Sequence, residues 1–206
     1  MLNKETRVFT FEMRAERDED HGSFVTGRPI VYDSETDLGY YSEEIRKGAL
    51  DNTDLKDVRF LVNHNTDGIP LARSRNNNAN STMQMTVDDQ GMVIRVNLDT
   101  ERNSEARALY SAIDRGDVSG MSFAFTVDSD TWTDLETDHP KRTINSIARV
   151  FELSAVTWPA YEATSIEAAS RDEALERAKS ALESARKEAR MQELRNEIMK
   201  KAGIKA

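Results

Sequence analysis

His64, Ser122 and Glu152 are the residues of this 206-residue chain whose types and settings suit covalent chemistry. His64 stands where an apolar run, Phe60-Leu61-Val62, gives way to the turn-rich stretch His64-Asn65-Thr66-Asp67-Gly68. A strand-end imidazole of this kind projects readily into a cleft, where it can take up and return a proton. Ser122 lies within Ser119-Gly120-Met121-Ser122-Phe123-Ala124-Phe125. Strand alternation places Met121, Phe123 and Phe125 toward a core and Ser122, Ala124 and Thr126 on the other face, with small neighbours leaving the hydroxyl accessible. Gly120 lets another backbone come close. Glu152 is a lone acid in the apolar run Val150-Phe151-Glu152-Leu153. A carboxylate in such a strand needs a partner, and an imidazole is a suitable one. Hydroxyl, imidazole and carboxylate together are the groups of acyl transfer through a serine nucleophile. Each residue also has a plainer reading. An outer-face serine is commonly polar surface, a strand-end histidine a satisfied surface group, and a strand glutamate the partner of Arg or Lys. Triad spacing varies between folds, so order along the chain does not decide between these readings.

Other chemistries find little support. The chain has no cysteine, which removes disulfides, thiolate zinc sites and cysteine nucleophiles together. No phosphate-binding glycine pattern occurs, and the three histidines, His21, His64 and His139, show no ligand spacing, so neither a cofactor nor a metal is expected. The acids between Asp128 and Arg142 do not follow the spacing of a calcium loop. Of the net charge of −9, residues 1–165 carry −11 and residues 166–206 carry +2, a small basic excess ending in Lys200, Lys201 and Lys205. An acidic body argues against nucleic-acid binding, which needs a basic face. No apolar run approaches the roughly 20 residues that cross a bilayer, and the first residues lack a signal-peptide pattern. The expectation is a soluble intracellular protein without a membrane partner.

The elements that must position the three residues are mostly strands. Arg7 to Met13, Gly22 to Tyr32, Val58 to Asn63, Val118 to Val127, Thr143 to Ala148 and Val150 to Thr157 read as strands, the last ended by Pro159. Ser81 to Val87 and Met92 to Leu98 alternate around Asp88-Asp89-Gln90-Gly91, a hairpin signal. Ser42 to Leu50 reads as a brief helix, and Asn103 to Arg115 as a helix of about three turns with Ala106, Leu109, Tyr110 and Ile113 on one face. The segment 76–81, mostly Asn, and the segment 128–142 read as loops, the second with an irregular hairpin as its other form. The fold class is therefore α+β and strand-dominated: a small β-barrel with one or two flanking helices, plus a long C-terminal helix. The composition changes near Ala163, after which Ala, Glu, Lys and Arg dominate. Residues 1–163 are expected to form the working domain, and 164–206 a charged helical tail of about 54 Å if continuous from Ile166 to Lys201. Such a tail either packs on the body, extends into solvent or tethers the protein to an assembly partner.

Several blocks, taken in order, resemble the phage prohead (capsid-maturation) serine protease family, which is similar in fold to the herpesvirus assemblins. The strongest is Arg115-Gly116-Asp117-Val118-Ser119-Gly120-Met121-Ser122-Phe123-Ala124-Phe125, the nucleophile block. Phe60-Leu61-Val62-Asn63-His64-Asn65 resembles the histidine block, with Asn65 where the family more often has Asp. Ile69-Pro70-Leu71-Ala72-Arg73 resembles the segment after it, with Ala72 for the usual Gly, and Phe151-Glu152-Leu153-Ser154-Ala155-Val156-Thr157-Trp158-Pro159-Ala160-Tyr161 is similar to the closing block. The resemblance spans roughly residues 6–165. It implies a serine endopeptidase with Ser122 as nucleophile and His64 as general base. Glu152 is assigned here as the third member. The herpesvirus relatives use a second histidine, but His139 lies in a polar loop beside Pro140. The resemblance further implies action inside the immature capsid, in the host cytoplasm, on the scaffold segment of the major capsid protein and on the protease itself, with a homo-oligomer possible. Two rivals are a non-catalytic capsid assembly or scaffold protein on the same fold, and an unrelated β-barrel binding module. In the second, His64 and Ser122 would lie far apart.

Overall fold

The computed structural model describes residues 4–9, 13–18, 22–157 and 168–201. In chain order they form β1 (Lys4–Phe9), β2 (Arg14–Asp18), β3 (Gly22–Val31), β4 (Thr36–Asp37), β5 (Ser42–Ile45), β6 (Asp57–Val62), β7 (Ala72–Arg75), β8 (Met83–Asp88), β9 (Gly91–Asn97), α1 (Ser104–Asp114), β10 (Gly120–Thr133), β11 (Lys141–Val156) and α2 (Ala168–Lys201). His21 and the segment from Trp158 to Tyr161 lie outside the described residues. The chain divides into two compact units. One comprises Met1–Ser34, Ile45–Asp130 and Ile144–Ala163, the other Glu35–Glu44, Thr131–Thr143 and Thr164–Ala206.

Strands dominate as expected, but among the described residues they do not close into a barrel. A four-stranded antiparallel sheet runs β2-β3-β9-β8, and a seven-stranded sheet runs β1-β10-β11-β5-β4, with β6 on β11 and β7 on β6. The reason lies in β11. Thr143 to Ala148 and Val150 to Thr157, expected as two strands, are one strand of 16 residues. Its first part pairs toward β5, where Arg46 N–H donates to Ile144 O at 3.0 Å. Its last part pairs in parallel with β6, from Glu152↔Arg59 to Ala155↔Val62. A strand long enough for two neighbours on one side forks the sheet instead of closing it, and leaves β1 as an edge.

The first unit carries the main core. Phe60, Met83, Met92, Ile94, Met121, Phe123, Phe125, Ile147 and Leu153 are fully buried within it, and the Phe123 and Phe125 rings stack at 4.7 Å. The β8–β9 hairpin turns at Asp89-Gln90, as its alternation predicts. Gly91 there has φ +134, and a Cβ would lie 2.0 Å from the Ile30 carbonyl oxygen, so only glycine lets β3 pass. Helix α1 begins at Asn103, whose Oδ1 accepts the Glu105 and Ala106 N–H groups, and buries Ala106, Leu109 and Ile113. Its chain leaves the helix at Gly116, with φ +79. The brief helix expected over 42–50 is instead β5 followed by turns. Three successive i→i+3 bonds (Ala49 to Arg46, Asp51 to Gly48, Thr53 to Leu50) and Gly48 at φ +88 bend the chain away from helix.

The second unit has its own small core. Tyr41 and Leu182 are buried among Leu38, Tyr40, Trp132 and Leu135, and the Tyr41 and Trp132 rings meet edge-on at 4.7 Å. The segment 128–142, expected as a loop or an irregular hairpin, takes the hairpin form: the end of β10 to Thr133, a turn, and the start of β11 at Lys141. Arg142, at the start of β11, makes a buried pair with Glu43 of β5 at 3.0 Å. Helix α2 docks on this hairpin through Leu182 and through Arg186, whose guanidinium donates to the Leu135 and Thr137 carbonyls at 2.9 and 2.7 Å. Met191, Leu194 and Ile198 farther along remain exposed. Among the described residues no helix is long and apolar enough to cross a membrane.

Candidate active site

The parallel pairing of β6 with β11 aligns the two segments that carry His64 and Glu152. Past the strand end, Asn63 N–H still donates to Ala155 O at 2.9 Å. The Asn63 side-chain oxygen accepts from Thr157 N–H at 3.1 Å and from the Thr157 hydroxyl at 3.3 Å. The chain then reverses in a tight turn closed by Asn65 N–H to Val62 O at 3.0 Å, with Asn63 at φ 49 and His64 at φ 57. Two consecutive left-handed residues make this a turn of the I′ kind, which Asn tolerates well and most side chains do not. The turn folds His64 back over β11.

There His64 Nδ1 lies 2.6 Å from Glu152 Oε1. The other carboxylate oxygen, Oε2, accepts the Ser154 hydroxyl at 2.6 Å, and the Ser154 oxygen in turn accepts the His64 backbone N–H at 3.2 Å. Glu152 and Ser154 are two apart on β11 and therefore share a face. Glu152 is 3% exposed and Ser154 is fully buried, so the carboxylate has exchanged its water for two short, charge-assisted bonds. An ionised carboxylate only accepts, so the proton of the neutral imidazole sits on Nδ1. Nε2 is left as the acceptor, and it is buried without a hydrogen-bond partner among the described residues. A base held by its far nitrogen, with the near nitrogen open, is the arrangement that general-base catalysis requires.

Ser122 sits on β10, the strand next to β11. The accessible outer-face hydroxyl expected from the sequence is not found: Ser122, Ala124 and Thr126 are all buried. Both faces of this half of β10 are covered, and β1 lies along its edge in antiparallel register, Val8 opposite Ser122. The Ser122 hydroxyl donates to the Arg7 carbonyl at 2.7 Å. The structure thus joins His64 directly to Glu152, whereas no hydrogen bond joins Ser122 to His64. His139 belongs to the second unit, where its Nε2 lies 3.5 Å from Asp37 Oδ1. Ser154, Asn63 and Thr157 were not singled out in the sequence. Ser154 carries one usable signal, its i+2 spacing from Glu152. Among the described residues no group of three or more His, Asp or Glu side chains is placed to hold a metal ion.

The family model of the caudovirus prohead serine proteases matches residues 9–178. The chain belongs to this family. The family resemblance read from the nucleophile, histidine and closing blocks is thereby borne out. The prohead protease of Enterobacteria phage HK97 is 32% identical over 122 residues, which cover 59% of this chain and 48% of that protein. The chain thus matches about half the length of this curated relative. Among solved structures, the bacteriophage T4 capsid assembly protease is similar over 75% of this chain and 99% of that one, at 13% identity and a TM-score of 0.37.

Proposed function

We propose that this prohead protease family member is a serine endopeptidase that cleaves capsid scaffold segments and itself during prohead maturation. The observation that supports it most is the His64–Glu152 bond, which leaves a buried imidazole nitrogen open in a member of a serine protease family.

Ser122 Oγ attacks the scissile carbonyl as its proton passes to His64 Nε2. The Glu152 carboxylate, two bonds deep in its own contacts, holds the ring and favours the imidazolium formed in that step. The imidazolium then protonates the departing amine, leaving an acyl ester on Ser122. A water molecule, deprotonated by the same nitrogen, releases the acid and restores the serine. Residues 1–163 carry this chemistry in the proposal. The helical tail, 164–206, carries the enzyme into the shell by pairing with helical scaffold, so that the protease works inside the prohead. Its substrates are the scaffold segment of the major capsid protein and its own chain.

Intact-mass analysis of the purified protein over time, beside Ser122→Ala, tests the reading. The expected result is shortening of the parent chain alone, with cuts in or near residues 163–206. If both chains stay whole, each is co-expressed with the capsid protein. Scaffold left intact by both would replace the enzyme with a non-catalytic assembly protein.

A further inference from the structure

Helix α2 carries an apolar strip that the hairpin it docks on does not cover. Leu182 and Arg186 hold the helix to that hairpin. Beyond them, Met191, Leu194 and Ile198 are 60%, 51% and 58% exposed. At about 100° per residue, they lie about 180°, 120° and 160° around the helix from Leu182, so the strip faces away from the docked side. Its spacing, three then four, is that of a heptad seam, with Met191 and Ile198 at a and Leu194 at d. Lys187 takes the preceding d position, where its methylene stem can lie along the seam. The positions flanking the seam are charged and exposed: Glu188 and Arg195 at e, Arg190 and Glu197 at g.

These charges fit a second copy of the same helix, and only in one direction. In a parallel pair each g position meets the next e position of the other helix, so Arg190 would face Arg195 and Glu183 would face Glu188, like on like. In an antiparallel pair e meets e and g meets g. With Met191 packed against Leu194 of the second copy, Glu188 faces Arg195 and Arg190 faces Glu197, each twice by symmetry, while Lys187 lies beside Ile198. Shifting the pair to set Leu194 against Ile198 brings Arg195 onto Arg195 and Glu197 onto Glu197, which charge repulsion disfavours. We infer that residues 187–198 of α2 form an antiparallel pair with the same residues of a second copy. The two-fold axis passes between Gln192 and Glu193. This inference goes beyond the proposed peptidase activity and does not rest on it. The seam is short, so the pair dissolves on dilution and forms by mass action where copies are concentrated.

The test uses the full chain carrying Ser122→Ala, so that the tail stays whole whatever the activity. Sedimentation over a series of concentrations should show a monomer–dimer equilibrium. Leu194→Glu, at an exposed position and with circular dichroism as the check on folding, should weaken it at least 10-fold. Arg190→Glu with Arg195→Glu sets Glu against Glu along the seam and should weaken it by a similar factor. Adding Glu188→Arg and Glu197→Arg to that double variant should restore the dimer. The absence of cysteine supplies the test of direction. Lys187→Cys and Ile198→Cys proteins are mixed and oxidised, and the disulfide should join unlike variants. Disulfides between like variants alone would mean a parallel pair and overturn the inference. A dimer indifferent to Leu194→Glu, or one that the second charge reversal does not restore, would overturn it too. So would a monomer throughout the series, which would leave the strip to a scaffold helix.

Discussion

His64 Nδ1 and Glu152 Oε1 meet at 2.6 Å although 88 residues separate them in the chain. The contact is built from three directions: the parallel β6–β11 ladder, the left-handed turn at Asn63-His64, and the Ser154 hydroxyl that holds the second carboxylate oxygen. Each of these can be altered separately, and the effects should differ in kind.

Glu152→Gln keeps the shape of the site but removes the charge and the fixed tautomer. A loss in kcat of about 10⁴-fold, the scale seen when the triad acid of other serine hydrolases is made an amide, is expected with little change in KM. Steady-state kinetics on a peptide spanning a cut mapped in the proposed self-cleavage measures both. A comparable loss confined to KM would mean that Glu152 binds substrate instead of orienting His64.

Ser154→Ala leaves Glu152 Oε2 buried with one partner fewer and the His64 N–H without its acceptor. Leaving buried polar groups unsatisfied costs about 1–3 kcal/mol, so urea unfolding should show a loss of that size. Activity should fall less than with Glu152→Gln, because the carboxylate and its charge remain.

Asn63 combines two functions that a pair of variants separates. Asn63→Gly keeps the freedom to adopt φ 49 but loses the bonds from Thr157, whereas Asn63→Ala loses both. A non-glycine residue in the left-handed region costs about 1–2 kcal/mol, so the alanine variant should melt below the glycine variant. Equal melting temperatures would show that the turn is not held by its backbone preference.

Stability in acid should depend on an ion pair between β3 and β8. Arg28, in the irregular stretch of β3, grips both oxygens of Asp88 at 2.6 Å where β8 turns into β9. The guanidinium holds the Asp88 carboxyl at about 2, below its ordinary 3.8. With the folded-state value depressed, the contribution is fully present above 3.8 and is lost as pH falls toward about 2. Arg28→Gln should lower the melting temperature near neutrality, where the contribution is complete, and flatten its fall in that window, so that variant and parent converge toward about pH 2.

Why some of this was legible in the sequence and some was not follows from the range of each signal. Helix α1 and the β8–β9 hairpin are written in local pattern, a cap residue, a four-residue repeat and a turn, and they stand where expected. Glu152 was legible because a lone carboxylate in an apolar strand demands a partner, and His64 was the imidazole at a strand end. Ser154 and Asn63 owe their roles to pairing between segments some 90 residues apart, which no local pattern announces. The same holds for Ser122. Its alternation suggested an open face, but Arg7, 115 residues away, supplies the strand that takes its proton. The segment 42–50 misled because Glu43 reads as helix surface until Arg142 is found beside it in a buried pair.

The central claim, that Ser122 is a nucleophile served by His64 and Glu152, is tested most directly by mapping a fluorophosphonate adduct on the full chain. The parent protein is treated beside His64→Ala and Glu152→Gln, and the modified peptide is identified by mass. An adduct confined to Ser122, formed at least 100-fold more slowly in both variants, is the expected result. An adduct on another serine, or labelling of Ser122 at the same rate without His64, would contradict it.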